Sequence, residues 1–171
     1  MLYICIKTQN NMQQEITIQL QYVLNKLHEF TAYEGAKLIV QDETAYKRIA
    51  TTEVDETFLK SCINEAIADL SSMLATYQPY VTNSDTGISI KLTLPSNFDT
   101  SQIAGLTDIA TMYFYSYALF KWFSIINKQD AELQIQTATK NLLSMRKLCT
   151  MRAAPMRKQP TEVKYKKTNY E

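Results

Sequence analysis

Hydrophobic and polar positions along this chain change period from one stretch to the next, and each change marks an element. ITIQLQYVLNKLHEF, residues 16–30, alternates at first and then turns helical. Leu20, Val23, Leu24 and Leu27 recur at steps of three and four, and Phe30 closes the stripe. The spacing predicts a helix from about Ile18 to Phe30, with Gly35 in TAYEGAKL as the break after it. Asp42 is positioned to cap a short helix in ETAYKRIA, and Asp55 to cap the next. That next helix has the clearest pattern: Leu59, Ile63, Ala66, Leu70, Met73 and Tyr77 alternate steps of four and three, and Pro79 stops it.

The period then drops to two. Ile88, Ile90, Leu92 and Leu94 alternate with Ser89, Lys91 and Thr93, and PYVTNSDTG upstream supplies a short strand and a turn. A β-hairpin over about 80–94 follows. A lone hairpin is marginal in water, so it must lie on helices or join strands from another chain. Pro95 ends the strand, and Asp99 or Ser101 can start the next helix.

GLTDIATMYFYSYALFKWFSII is the most apolar run. Asp108 and Lys121 bracket it too closely for a membrane span. Tyr113, Phe114, Tyr117, Phe120 and Phe123 fall around much of a helix surface without basic interleaving, which fits a buried central helix better than a base-stacking platform. After NKQD, the positions Ala131, Ile135, Ala138, Leu142, Met145 and Cys149 repeat the rhythm of the Leu59 helix, and Pro155 ends the element. Two long, mostly antiparallel helices flanking the aromatic one are expected. The fold class is therefore mainly α: a small helical bundle around a central aromatic helix, with one β-hairpin. Residues 1–154 form the helical domain and 155–171 an extended basic C-terminal arm.

Composition changes this picture little. At 171 residues, with 46 % apolar and 20 % charged residues, the chain is one globular domain. Three glycines leave no room for phosphate-cradling loops, and eleven tyrosines suit either helix packing or interfaces. Cys5, Cys62 and Cys149 are scattered and odd in number, which fits a reducing, cytosolic context without disulfides or zinc. MLYICIKTQN lacks the basic leader and cleavage site of a signal peptide.

Charge changes it more. Residues 140–171 hold nine Lys/Arg against Glu162 and Glu171, a surplus of seven, while the remaining nine bases face fifteen acids, a deficit of six. An acidic body with a basic end can bind anions, or another copy of itself head to tail. Arg146, Lys147 and Arg152 also suit the carboxyl end of a helix, where the macrodipole favours cations.

Catalytic constellations are not found. His28 beside Glu29 reads as a surface helix pair, and the single histidine has no positioned nucleophile. Asp55, Glu56, Glu65 and Asp69 read as a solvated face, because a dinuclear carboxylate bundle needs Glu-x-x-His pairs that this chain lacks. No Walker loop, dinucleotide fingerprint or nucleophile elbow occurs. Neither an enzyme nor a cofactor is expected.

The arm, MRAAPMRKQPTEVKYKKTNYE, sets Val163 and Tyr165 on one side of an extended segment and Lys164 and Lys166 on the other. Such a strand can add to a neighbour's sheet edge, and the hairpin strand of Ile88, Ile90, Leu92 and Leu94 is read as that edge.

The order of FTAYEGAK, DETFLKSCINEAIADLSSMLATY, GISIKLTLP, MYFYSYALFKWFS and LLSMRKLCTMRAAPMRKQP resembles that of the head–tail connector (adaptor, or head-completion) proteins of tailed bacteriophages. The likeness spans roughly residues 18–160 and is one of order and pattern; the long, regular hairpin is a departure that not all such adaptors share. The resemblance implies a virion protein made in the host cytoplasm, forming a ring beneath the portal, usually twelvefold. The ring would extend the DNA channel and join portal to a tail or second ring protein. It assigns the arm, with Arg152, Arg157, Lys158, Val163, Lys164, Tyr165, Lys166 and Lys167, to binding the portal or a neighbouring subunit. DNA would pass through without specific binding, since six or more phosphate contacts per subunit would stall it. The alternative is a small helical nucleic-acid-binding protein gripping phosphates with the same basic tail.

Overall fold

The computed structural model describes residues 11–38, 44–126 and 128–153. Strand β1 (Asn11–Gln19) leads directly into helix α1 (Leu20–Leu38). Short helix α2 (Ala45–Ile49) and long helix α3 (Glu56–Met73) follow, then strands β2 (Tyr80–Asn83) and β3 (Gly87–Pro95). Helices α4 (Ile103–Ile126) and α5 (Lys128–Leu148) complete the order. The fold is mainly α with a small antiparallel sheet, as the periodicities predict. No helix among the described residues is long and apolar enough to cross a membrane.

The N-terminal helix starts at Leu20, later than its spacing predicts. Ile18 belongs to β1, not to the helix, and the alternation of Ile16 and Ile18 is a true strand signal. These two side chains sit opposite Ile90 and Ile88, so β1 joins the hairpin from within the same chain. The sheet order is β1-β3-β2. Ile16, Ile18, Ile88, Ile90, Leu92 and Leu94 are all buried on one face, each contributing about 1.5–3 kcal/mol of hydrophobic stabilisation. Glu15, Ser89 and Lys91 lie on the other face, where Ser89 Oγ donates to Glu15 and the lysine ammonium is 3.9 Å from the same carboxylate. The turn before β3 needs Gly87: a Cβ there would lie 2.8 Å from the Ile18 carbonyl oxygen.

Gly35 does not break α1, which runs on to Leu38. The glycine instead permits close approach of α2, since a Cβ would lie 3.0 Å from Tyr46 Cα. Asp42 lies outside the described residues. Asp55 precedes α3 but makes no side-chain bond into it. Its carboxylate turns back to accept from the Thr52 backbone N–H at 2.8 Å and the Thr52 hydroxyl at 2.9 Å, closing the 3₁₀ turn that feeds α3. Asp99 does act as expected, accepting from the Ser101 N–H and hydroxyl at the turn before α4. These bonds hold its carboxyl below the usual carboxylate range.

Helix α4 forms the core. Leu106, Ala110, Tyr113, Phe114, Leu119 and Phe123 are buried around its circumference, and it packs against α5, α3, α1 and β1. A Cβ at Gly105 would lie 3.7 Å from Leu148 Cδ1, so the start of α4 meets the end of α5 and the two form an antiparallel hairpin. On the predicted seam of α5, Ala131, Ala138, Leu142, Met145 and Cys149 are buried and Ile135 is partly so. The helix ends at Leu148, earlier than Pro155 would require.

His28 departs from expectation. Glu29 pairs with Lys26 at 3.6 Å, while His28 turns inward, with Nδ1 2.8 Å from the Thr51 hydroxyl and Nε2 3.8 Å from Glu56. Behind it Thr31 is fully buried. Its hydroxyl lies 2.9 Å from the Leu27 carbonyl and 2.8 Å from Thr51 Oγ1, and it accepts from the Thr51 backbone N–H at 3.0 Å. This network fastens the segment after α2 to α1. Thr31→Val keeps the shape but strands the buried Thr51 N–H, so a loss of about 1–3 kcal/mol is expected by urea unfolding. Thr31→Ser should retain most of the stability.

Candidate interaction surfaces

Ile88, Ile90, Leu92 and Leu94 do not form a free edge. Strand β3 is central: β1 pairs along its whole length, β2 pairs with residues 88–91, and the four side chains point into the core. The reason is that the polar stretch before Ile16 extends as a strand, which its glutamines conceal in the sequence. Among the described residues the unpaired edges are the outer sides of β1 and β2.

The root of the arm is firmly built. Arg152 forms an isolated antiparallel bridge with Phe98, the Ala153 N–H donates to the Asn97 carbonyl at 2.9 Å, and the Asp99 N–H donates to the Met151 carbonyl. The Arg152 guanidinium turns back on its own chain, donating to the carbonyls of Thr150 at 2.7 Å and Met151 at 3.3 Å. Arg152 therefore closes the turn that follows α5 by bonding carbonyls of its own chain. Arg157, Lys158, Val163, Lys164, Tyr165, Lys166 and Lys167 lie outside the described residues.

Two apolar patches escape the periodicity reading. At the start of α3, Phe58 is in ring contact with Trp122 at 6.2 Å, with Val54 one turn before it and Ile125 one turn beyond Trp122. Val54 is 89 % and Ile125 69 % exposed. Glu53 and Glu56 give this patch an acidic border. The second patch lies on α5, where Leu143 is 52 % exposed in a shallow groove of about 520 Å³ lined also by Ile135, Thr139, Lys140 and Lys147. Its border is basic. The available signal was that Val54, Ile125 and Leu143 are large apolar residues outside every seam.

Two acids of α3 pair with cations of the same chain: Glu65 lies 2.6 Å from Lys121, and Glu56 3.3 Å from Lys60. Among the described residues, no group of three His, Cys, Asp or Glu side chains could hold a metal. Burial raises the thiols of Cys62 and Cys149 to about 11, which favours the protonated form over a nucleophilic thiolate. An unfolded chain ionises these groups near 9, so the folded state holds protons that the unfolded state releases. Their stability contribution is full below about pH 9 and lost as pH rises towards 11. The urea midpoint should therefore fall between pH 8.5 and about 10.5, with a smaller fall in a chain carrying serine at both positions.

No family model, no curated protein and no solved structure matches this chain.

Proposed function

We propose that this protein is a structural subunit of a head–tail connector: copies form a ring, twelvefold as in the family it resembles, beneath the portal of a tailed-phage virion. The ring extends the DNA channel and joins portal to a tail or second ring protein. The observation that carries this reading is the pair of unlike, complementary patches. One is apolar with acidic residues around it (Glu53, Val54, Phe58), and the other is apolar with basic ones (Lys140, Leu143, Lys147). Trp122 lies near the end of α4, whereas the end of α5 packs beside its start, so the patches are about 20 Å apart at 1.5 Å per residue. A patch that fits a different patch on the next copy makes a heterologous contact, and such contacts close into a ring where the rotation between copies closes.

The arm adds a second link. Its root is fixed beside the sheet, so residues 154–171 start from a defined point and can reach a neighbour or the portal with their basic side chains. DNA passes through the ring without being gripped.

The test is to isolate the native complex from its natural source, treat it with nuclease and image it by electron microscopy. A closed ring stacked on a second ring and unchanged by nuclease is the expected result. An irregular, nuclease-sensitive complex would overturn the connector reading and move the function to phosphate binding by the basic tail.

A further inference from the structure

His28 Nε2 is a buried ring nitrogen with no hydrogen-bond partner. Buried polar atoms are almost always bonded, so this one calls for a reason. The imidazole reaches inward from α1 and its two nitrogens face different elements. Nδ1 lies 2.8 Å from the Thr51 hydroxyl, and Nε2 lies 3.8 Å from Glu56 Oε1 at the start of α3.

The proton count of the network fixes the state of the ring. Three contacts run in series: Thr31 Oγ1 to the Leu27 carbonyl, Thr31 Oγ1 to Thr51 Oγ1, and Thr51 Oγ1 to His28 Nδ1. A carbonyl cannot donate, so the Thr31 proton serves the first contact and the Thr51 proton the second. The third bond must then be donated by Nδ1–H. In the neutral ring Nε2 is left as a bare lone pair, and what it faces is a carboxylate, another acceptor. A proton taken from solvent onto Nε2 turns that mismatch into a charge-assisted bond, whose usual length of about 2.8 Å brings Glu56 about 1 Å closer.

We propose that His28 is a proton-operated tie between α1 and the start of α3: neutral, it holds only Thr51; protonated, it also donates from Nε2 to Glu56. Glu56 stands between Val54 and Phe58 in the chain, so the tie acts on the acidic border of that exposed patch. Glu56 is the charged group that faces the ring from α3, and Lys60 holds its other oxygen at 3.3 Å. On α1 itself Glu29 pairs with Lys26, and on α4 Lys121 pairs with Glu65. Asp55, before α3, is taken up by Thr52, while Lys47 and Arg48 in the last turn of α2 are exposed. The tie holds whether or not copies form a ring.

His28 is the single histidine of the chain, so its imidazole signals are unambiguous in the full-length protein. Long-range proton–nitrogen NMR should show the Nδ1–H tautomer at about pH 8 and protons on both nitrogens at about pH 5. An Nε2–H tautomer at the higher pH overturns the proposal. Hydrogen exchange, corrected for the intrinsic effect of pH, should show amides 56–59 protected about tenfold more at the lower pH. Equal protection at the two pH values also overturns it. Glu56→Gln presents an amide N–H to the bare Nε2, so the tie should already be closed at the higher pH and the response lost. A pH response that survives this substitution assigns the change to another group and rejects the proposal.

Discussion

Phe114→Ala is expected to cost about 4 kcal/mol, the largest single-residue loss in this chain. Phe114 is fully buried on α4, the helix that α1, α3, α5 and β1 all pack against, and its ring lies 5.5 Å from that of Tyr113. Truncation removes the transfer free energy of a benzyl group and leaves a cavity between elements that cannot all collapse onto it. A domain of this size has about 5–15 kcal/mol of net stability, so the variant should lose about a quarter of it or more. Guanidinium unfolding should show a lower midpoint with an unchanged slope, which marks a change in stability rather than in the unfolded state. Met112→Ala, two residues earlier but half exposed, should stay within about 0.5 kcal/mol. If the aromatic run were a stacking platform for bases, the order would reverse: Phe114→Ala would leave stability intact and weaken nucleic-acid binding.

The two long seams were legible because a helix that buries one stripe must repeat it. Leu59, Ile63, Ala66 and Leu70, then Ala131, Ala138, Leu142 and Met145, all lie in the core. The central helix was legible for the opposite reason, being apolar all round and hence surrounded. β1 was half legible. Ile16 and Ile18 carry the strand period, but Met12 is the only apolar residue of the strand before them, and Gln14 holds an inward position with a polar side chain. A half-polar strand reads as loop until its partner is known, and the partner lies more than seventy residues away. That missing strand is why Ile88 to Leu94 read as an edge. His28 reads as a surface residue for the same reason, since its partner, Thr51, is remote in sequence. Of the candidate site, the basic cluster was visible, but not that Arg152 folds back onto the carbonyls of Thr150 and Met151, just beyond α5. The exposed patches around Val54 and Leu143 depend on which apolar residues remain uncovered after packing, and periodicity does not report that.

On the proposed connector function, deleting residues 155–171 is expected to abolish incorporation of the subunit into the particle while leaving its body folded. The deletion starts beyond the contacts that fasten the arm's root. Ala153 still donates to Asn97, Arg152 still bridges to Phe98, and the Thr150 and Met151 carbonyls keep their guanidinium partner. No side chain of the described core is removed, so stability by urea unfolding should move by less than about 0.5 kcal/mol. What is lost is Arg157, Lys158, Lys164, Lys166 and Lys167, together with Val163 and Tyr165, whose apolar positions alternate with the lysines. Among the described residues the outer edges of β1 and β2 are unpaired. The check is complementation: supply the truncated chain in place of the full one, purify particles and quantify the subunit by mass spectrometry. Full occupancy would remove the arm from assembly and leave the patches on α3 and α5 as the whole interface. Lys140→Glu with Lys147→Glu separates the two links. A failure of those substitutions to affect ring closure, alongside a failing arm deletion, would make the arm the sole link and the lateral patches incidental.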